Sequence, residues 1–242
     1  MSLSIVIPVY NEDKQLHNTV KKINKISKRI KDYEIVFIDD FSTDNTKQII
    51  KKSIRSNKKI KYYKNIKKGL GSAIGLGINK STKKFVCIFM CDNSDDLSDL
   101  MEYYKIINKN NLDAVLGSRF LKNSRITNYP ILKMVLNRIF NYIVKIIFLS
   151  NYNDFTNAFK IYRKNVLKDL LPIISENFNV FLELPLKIIS RGYNYKVIPI
   201  KWKNRTKGQS NFKIKELGSM YLFTFFYCFL EKILLKKKIN NL

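Results

Sequence analysis

Apolar positions along this chain of 242 residues gather in short runs separated by stretches of helical spacing. Residues 4–10 (SIVIPVY) and 34–40 (EIVFIDD) are β-rich runs that read as buried strands. Between them Leu16, Val20, Ile23, Ser27 and Ile30 recur at intervals of four, three, four and three, the spacing of one helix face. Ser42 or Thr43 is placed to cap the next helix. Residues 60–64 form a weaker strand and 69–81 a helix rich in small residues, while 85–91 (FVCIFMC) is apolar throughout, as a central parallel strand is. A helix over about 98–110 and a strand at 113–117 follow. Strands alternating with helices predict an α/β fold built on a largely parallel sheet.

The second half is less regular. Residues 131–149 are strongly apolar but carry Lys133, Arg138 and Lys145, which predicts an amphipathic helix rather than a membrane span. Residues 217–235 contain the unbroken run 220–230 (MYLFTFFYCFL), followed after a short interval by three lysines at 236–238. That run is shorter than the ~20 residues of a spanning helix and reads as an interfacial helix; the alternative is a helix packed in the core. The expected organisation is a folded domain over 1–212 and a basic, amphipathic, membrane-associated helix over 213–242.

With 45% hydrophobic and 26% charged residues the chain has the composition of a folded globular protein. Its formal charge of +26 suits nucleic acid, anionic lipid or a phosphate-bearing substrate. The 45 basic residues are 37 Lys and 8 Arg in an Ile- and Asn-rich chain, a bias an AT-rich genome produces on any solvated surface, which leaves the few Arg as the informative cations. Basic residues lie along the whole length without a helix-turn-helix, zinc-finger or RNP-like signature, so a nucleic-acid binder is the minor alternative. Three cysteines without a CxxC pair and the single His17 argue against zinc and disulfides and for a reducing compartment, and the N-terminus lacks the order of a signal peptide.

Each polar cluster of interest directly follows a strand: Asn11 and Glu12, Asp39 and Asp40, residues 92–96, and Ser118 with Arg119. In an open α/β sheet that carboxyl edge is where ligands bind. Clustered carboxylates repel unless a cation or solvent offsets them. Asp92, Asp95 and Asp96 therefore suggest Mg²⁺ or Mn²⁺ bridging a diphosphate, against the alternative of a capping loop in which Ser98 or Asp99 caps the next helix. Asp39 is the candidate acceptor for a base N–H or ribose hydroxyls, and residues 69–73 around Gly71, preceded by Lys67 and Lys68, permit close backbone approach to a ligand.

The ordered motifs SIVIPVYNE, VFIDDFSTDNT, NIKKGLGSAIGLGI, the Asp cluster and GSRF resemble those of the family-two, GT-A-fold glycosyltransferases, in particular the dolichyl- or polyprenyl-phosphate sugar synthases. DFTNAFKIYRK, FLELPLKIISRGY and VIPIKWKNRTKGQSNF extend the similarity to residues 4–212. The resemblance implies a Rossmann-like, mixed but mostly parallel sheet flanked by helices. It implies nucleotide-sugar contacts at Pro8, Tyr10, Glu12, Asp39, Asp40, Gly71 and Asp92. The family's DxD motif falls on Cys91-Asp92-Asn93, so Asp92 takes the metal-binding place with Asp95 or Asp96 supplying further oxygens, and Cys91 departs from the pattern. Arg119, Arg138 and Arg205, with Ser210, correspond to places that hold phosphate groups, and Asp92, Arg119 and Arg205 are the catalytic candidates.

The implied activity is inverting transfer of a hexose from a UDP- or GDP-sugar to polyprenyl phosphate, in cell-envelope glycan synthesis at the cytoplasmic face of the membrane. The alternative acceptor is a saccharide hydroxyl of a surface polymer. A lipid phosphate is already anionic and calls only for positioning by cations, whereas a hydroxyl calls for a base. Asp96, Asp154 and Glu183 are the candidates for that base, unless Asp154 and Glu183 pair with Arg163 and Arg191.

Overall fold

The computed structural model describes residues 2–27, 29–204 and 214–239. Seven strands form one sheet in the order β3-β2-β1-β4-β7-β5-β8. They are β1 (Ser2–Val9), β2 (Asp32–Asp39), β3 (Ile60–Lys64), β4 (Phe85–Ile88), β5 (Ala114–Ser118), β7 (Lys160–Arg163) and β8 (Tyr195–Pro199). All neighbours run parallel except β7, which is antiparallel to both β4 and β5. A separate ribbon pairs β6 (Arg125–Thr127) with β9 (Lys201–Lys203) in parallel.

The continuous apolar run of β1 is explained by its central place, since both of its faces are covered. Leu3, Ile5, Ile7 and Val9 face a cluster shared with α1 (Asp13–Ser27), α2 (Thr46–Ser56) and α4 (Ser98–Lys109). Val6 faces the other cluster, shared with α3 (Leu70–Lys80), α5 (Ile131–Ile147), α6 (Lys164–Asp169), α7 (Val180–Ser190) and α8 (Ile214–Ile239). The run expected as a strand to position 91 leaves the ladder at Ile88, although Phe89 N–H still bonds the Val6 carbonyl (2.9 Å).

Two expected caps are replaced. Helix α2 starts at Thr46, whose N–H donates to Asp44 Oδ1, while Ser42 Oγ accepts from Asn11 N–H. At α4 the cap is Asp96, whose Oδ1 accepts from Ser98 N–H (2.8 Å), whereas Asp99 Oδ2 takes Lys201 N–H (2.8 Å).

The C-terminal helix is docked along the domain. Phe225 and Cys228 enter the second cluster, Thr224 Oγ1 accepts from Asn179 Nδ2, Tyr221 donates to the Phe178 carbonyl, and Glu231 pairs with Arg191 at 2.6 Å. Gly218–Leu235 is long and apolar enough to cross a membrane, and one side of it is occupied by these contacts. Its outer side exposes Leu222, Phe223, Phe226, Leu230 and Leu234. Helix α5, joined to it through Phe140 against Tyr221 and, just past its end, Phe148 against Phe225, exposes Ile131 and Leu132 (74% each), Leu136, Ile139, Tyr142 and Ile146.

Candidate functional site

The carboxyl ends of β1, β2, β4 and β5 open into a cleft of about 900 Å³. The strand that runs backwards contributes too. Because β7 is antiparallel, the loop that enters it arrives at the same edge, bringing Asp154 and Thr156 to Arg119.

One half of the cleft is lined by Pro8, Tyr10 and Glu12 after β1, Asp40 after β2 and Gly69 after β3. Asp40 fixes this rim by accepting Gly69 N–H on both oxygens (2.9 and 3.1 Å) and Asn65 Nδ2 on Oδ1 (2.8 Å). Gly69 has φ +137°, and a Cβ there would lie 2.8 Å from the Glu176 carbonyl oxygen, so only glycine suits the turn. Lys68 covers the Tyr10 ring at 5.2 Å.

Two expected nucleotide contacts are corrected. Asp39 stands behind the rim, nearly buried, its Oδ1 accepting Ser42 N–H (2.9 Å) and its Oδ2 the Tyr62 hydroxyl (2.8 Å); it braces the loop after β2, and Asp40 is the carboxylate in the cleft. Gly71 does not line the cleft either. Its N–H donates to the Glu176 carbonyl (3.0 Å), and a Cβ would fall 1.6 Å from the Ser175 carbonyl oxygen. It is glycine so that segment 173–176 can close against α3.

The acidic loop after β4 is also split. Asp92 lines the cleft with Oδ1 accepting Ser94 N–H (3.0 Å), and its Oδ2 has no partner among the described residues. Asn93, at φ +57°, turns the chain. Asp95 and Asp96 then line a neighbouring groove instead, with Asp96 capping α4 and lying 3.8 Å from Lys201. The expected three-carboxylate set is therefore not assembled, and among the described residues no three His, Cys, Asp or Glu converge to hold a metal. A free carboxylate oxygen facing a diphosphate-sized cleft fits a Mg²⁺ or Mn²⁺ that takes its remaining ligands from phosphate and water. Cys91 packs in the first core cluster, so position 91 does not reach the cleft. Asp95 is buried with Oδ1 unpartnered, and burial, then the nearby Asp92 charge, push its carboxyl up to about 8.

Cations line the other half. Asp154 holds Arg119 in a fork, Nε to Oδ2 at 2.8 Å and Nη2 to Oδ1 at 2.6 Å, and Oδ2 also accepts the Arg119 backbone N–H. Nη2 donates to Thr156 Oγ1 as well (3.0 Å), leaving Nη1 without a partner among the described residues. Burial works against the charge on Arg119, yet the attraction and hydrogen bonds of Asp154 raise its pKa. Tyr129 and Trp202 flank the guanidinium at 5.5 Å each. Lys133, which the sequence marked only as a charge on an apolar helix, lines the cleft; burial and then Arg119 lower its pKa.

Arg138 is corrected in turn: it sits on the exposed side of α5 over the Phe120 ring (4.9 Å), outside the cleft lining. Arg205 and Ser210 lie outside the described residues. The expected partners of Asp154 and Glu183 are replaced as well. Asp154 binds Arg119. Glu183, fully buried, pairs with Lys187 (2.6 Å) and accepts the N–H groups of Ile174 and Ser175. Arg163 instead faces Asp113 at 3.6 Å.

Leu136 and Phe140 of α5 and Tyr221 and Leu222 of α8 give the cleft an apolar wall, with Asn137 and Gly218 lining it beside them.

The family model for glycosyl transferase family 2 matches residues 4–171. A dolichol-phosphate mannosyltransferase of Pyrococcus furiosus is 26% identical over 224 residues, covering 90% of this chain and 61% of its own length. An uncharacterised protein of Methanocaldococcus jannaschii is 27% identical over 205 residues, covering 81% and 79%. Glycosyltransferase AglD of Haloferax volcanii is 23% identical over 231 residues, of which this chain spans 37% of the length. Among solved structures, glucosyl-3-phosphoglycerate synthase of Mycobacterium tuberculosis in complex with UDP superposes with a TM-score of 0.70 at 14% identity, covering 94% of this chain and 80% of that one. The same enzyme has also been crystallised with Mn²⁺, UDP and its product, and TarS of S. aureus matches with a TM-score of 0.61 at 20% identity over 84% of this chain and 37% of its own. The chain belongs to glycosyl transferase family 2 and is a nucleotide-sugar glycosyltransferase of the GT-A fold.

Proposed function

We propose that this chain moves a hexose from a nucleotide sugar to polyprenyl phosphate at the cytoplasmic face of a membrane. One observation carries the reading: the end of the cleft that holds Arg119 and Lys133 opens onto an exposed apolar surface, and Leu136 and Leu222 belong to both, lining the cleft while about half exposed (49% and 54%). An amphiphile with an anionic head and an apolar tail matches that gradient.

In this reading the donor lies against Pro8, Tyr10, Glu12, Asp40 and Gly69, with its diphosphate near Asp92. Asp92 would hold Mg²⁺ or Mn²⁺ there, which supplies neutralising charge to the leaving diphosphate. Arg119, kept rigid by Asp154, offers Nη1 to the acceptor phosphate, and Lys133 adds a mobile charge. An acceptor phosphate oxygen forms the new bond to the anomeric carbon as the bond to the donor diphosphate breaks, inverting that centre. No general base is required because the nucleophile is already ionised. The three carboxylates proposed as base for a hydroxyl acceptor are otherwise engaged: Asp154 by Arg119, Glu183 by Lys187, and Asp96 outside the cleft as a helix cap.

Support for membrane attachment comes from the outer faces of α5 and α8 and the Pyrococcus relative named for a dolichol-phosphate acceptor. The decisive experiment transfers label from a panel of UDP- and GDP-sugars to undecaprenyl phosphate in detergent, with Mg²⁺ or Mn²⁺ and with chelator. A metal-dependent labelled glycolipid is expected. Donor hydrolysis without labelled lipid would move the acceptor to a saccharide hydroxyl.

A further inference from the structure

Ser94 and Trp202 line the cleft on one side and, on the other, a second groove of about 510 Å³ between α1 and the β6–β9 ribbon. Side chains alternate along a strand, and the parallel register sets Arg125 beside Lys201 and Thr127 beside Lys203, so these four share one face of the ribbon. All four line the groove. Lys22 and Lys25, about one turn apart on α1, line it from the opposite wall.

Like charges directly opposite on paired strands destabilise the pairing, and Arg125 beside Lys201 is such a pair. The offsets present are small. Lys201 lies 3.8 Å from Asp96 and 3.9 Å from Asp99, and Lys22 donates to Asn93 Oδ1 (3.3 Å). Lys25, Arg125 and Lys203 have no acidic partner among the described residues. Five cations against Asp95 and Asp96 in the lining, with Asp99 beside Lys201, leave the groove positive. One of them is among the chain's 8 Arg, whose planar fork suits phosphate.

We propose that this groove is a second anion site, taking a phosphate-bearing ligand of two or more negative charges, and that its occupancy is felt in the cleft. The volume suits inorganic pyrophosphate, a phosphorylated sugar or a phosphomonoester headgroup. Such a ligand joins the cations of both walls and relieves the repulsion across the ribbon. It also bears on Trp202, whose ring packs against Tyr129 at 4.8 Å and stands 5.5 Å from Arg119. The backbone ties the groove to the Asp92 loop, because Lys203 N–H donates to the Ser94 carbonyl (2.8 Å) and Asp96 N–H to that of Lys201 (3.2 Å).

Trp202 is the chain's single tryptophan and reports on the site directly. The full chain is titrated with inorganic pyrophosphate in the presence of chelator, which removes metal-assisted diphosphate binding in the cleft, and separately with vesicles of phosphatidylcholine with and without phosphatidic acid. The expected result is a saturable change in Trp202 fluorescence whose affinity falls at least about tenfold in Arg125→Gln/Lys203→Gln and in Lys25→Gln/Lys203→Gln, and stays within about twofold in the cleft variant Lys133→Gln. The substituted groove positions are exposed, so unchanged thermal unfolding midpoints verify that the variants are folded. If only phosphatidic acid vesicles respond, and the groove variants lose that response, the source of the phosphate is a lipid headgroup. Absence of any response in the unmodified chain, equal affinity in the groove variants, or loss confined to Lys133→Gln overturns the proposal. The readout is binding, so the result stands whatever the sugar acceptor is.

Discussion

Asp154 and Arg119, separated by 35 positions in sequence, form a buried forked ion pair at 2.6–2.8 Å in which the carboxylate also takes the arginine's own backbone N–H. Removing one partner of such a pair leaves the other charged and buried. Asp154→Ala is therefore expected to cost about 3–5 kcal/mol of stability, read from the urea midpoint, and to abolish transfer. A variant as stable as the parent would show that Arg119 finds another anion.

Asp92→Asn keeps the shape and the hydrogen bond from Ser94 N–H while removing the charge. Sugar transfer in Mg²⁺ or Mn²⁺ is expected to vanish with the thermal midpoint unchanged. Full activity would exclude Asp92 from the metal's coordination.

Two glycines of α3 are expected to respond in opposite directions to alanine. At Gly71 the new Cβ meets the Ser175 carbonyl oxygen at 1.6 Å, so segment 173–176 must shift, at about 1–3 kcal/mol. At Gly75 the nearest atom is Ile173 Cδ1 at 3.8 Å, and a helix-interior Gly→Ala change there is expected to stabilise by up to about 1 kcal/mol. Denaturation of the two variants side by side separates the steric cost from the helix propensity.

Burial raises the Asp95 carboxyl from 3.8 to about 8, so between those values the folded state keeps a proton that the unfolded state has lost. Stability from this group is present at low pH and is lost as pH rises toward about 8. Asn cannot ionise. The stability of Asp95→Asn relative to the parent is thus expected to grow between about pH 5 and about pH 8, measured by urea denaturation at each. A difference independent of pH would mean that Asp95 is ionised throughout.

On the outer surface Ile139 and Phe226 are 54% and 56% exposed. Ile139→Glu with Phe226→Glu is expected to leave stability within about 1 kcal/mol, as two surface changes do, and to release the protein from lipid vesicles in a flotation assay. Undiminished flotation would place the membrane contact elsewhere.

Much of the fold was legible because β1, β2 and β4 are apolar on both faces and helices separate them, a pattern with one common solution. That the polar clusters gather at one edge followed from the same pattern. What a linear reading could not supply was direction. Asn93 at positive φ sends Asp92 and Asp96 to opposite sides of one loop, although four positions hold them together in sequence. Lys133 and Arg138 differ by five positions, about 140° around a helix, so the cation chosen for its type pointed outward and the other lined the cleft. Gly69 and Gly71, close together in one small-residue segment, part for a similar reason, since the turn and the helix it opens need glycine for different contacts.

The reversed course of β7 has a further consequence. Every element on the proposed donor side ahead of the Asp92 loop comes from the first hundred residues, whereas Arg119, Lys133 and Thr156 come from the stretch that leads into that strand. A parallel strand would have delivered its exit to the ligand edge; this one delivers its entrance, and the chain returns to the centre with a separate loop. If the proposed assignment of the two halves holds, most of the side chains that would meet the acceptor phosphate are written in residues 118–160, apart from those of the first hundred that would meet the nucleotide, so substitutions in the one stretch reach one substrate before the other.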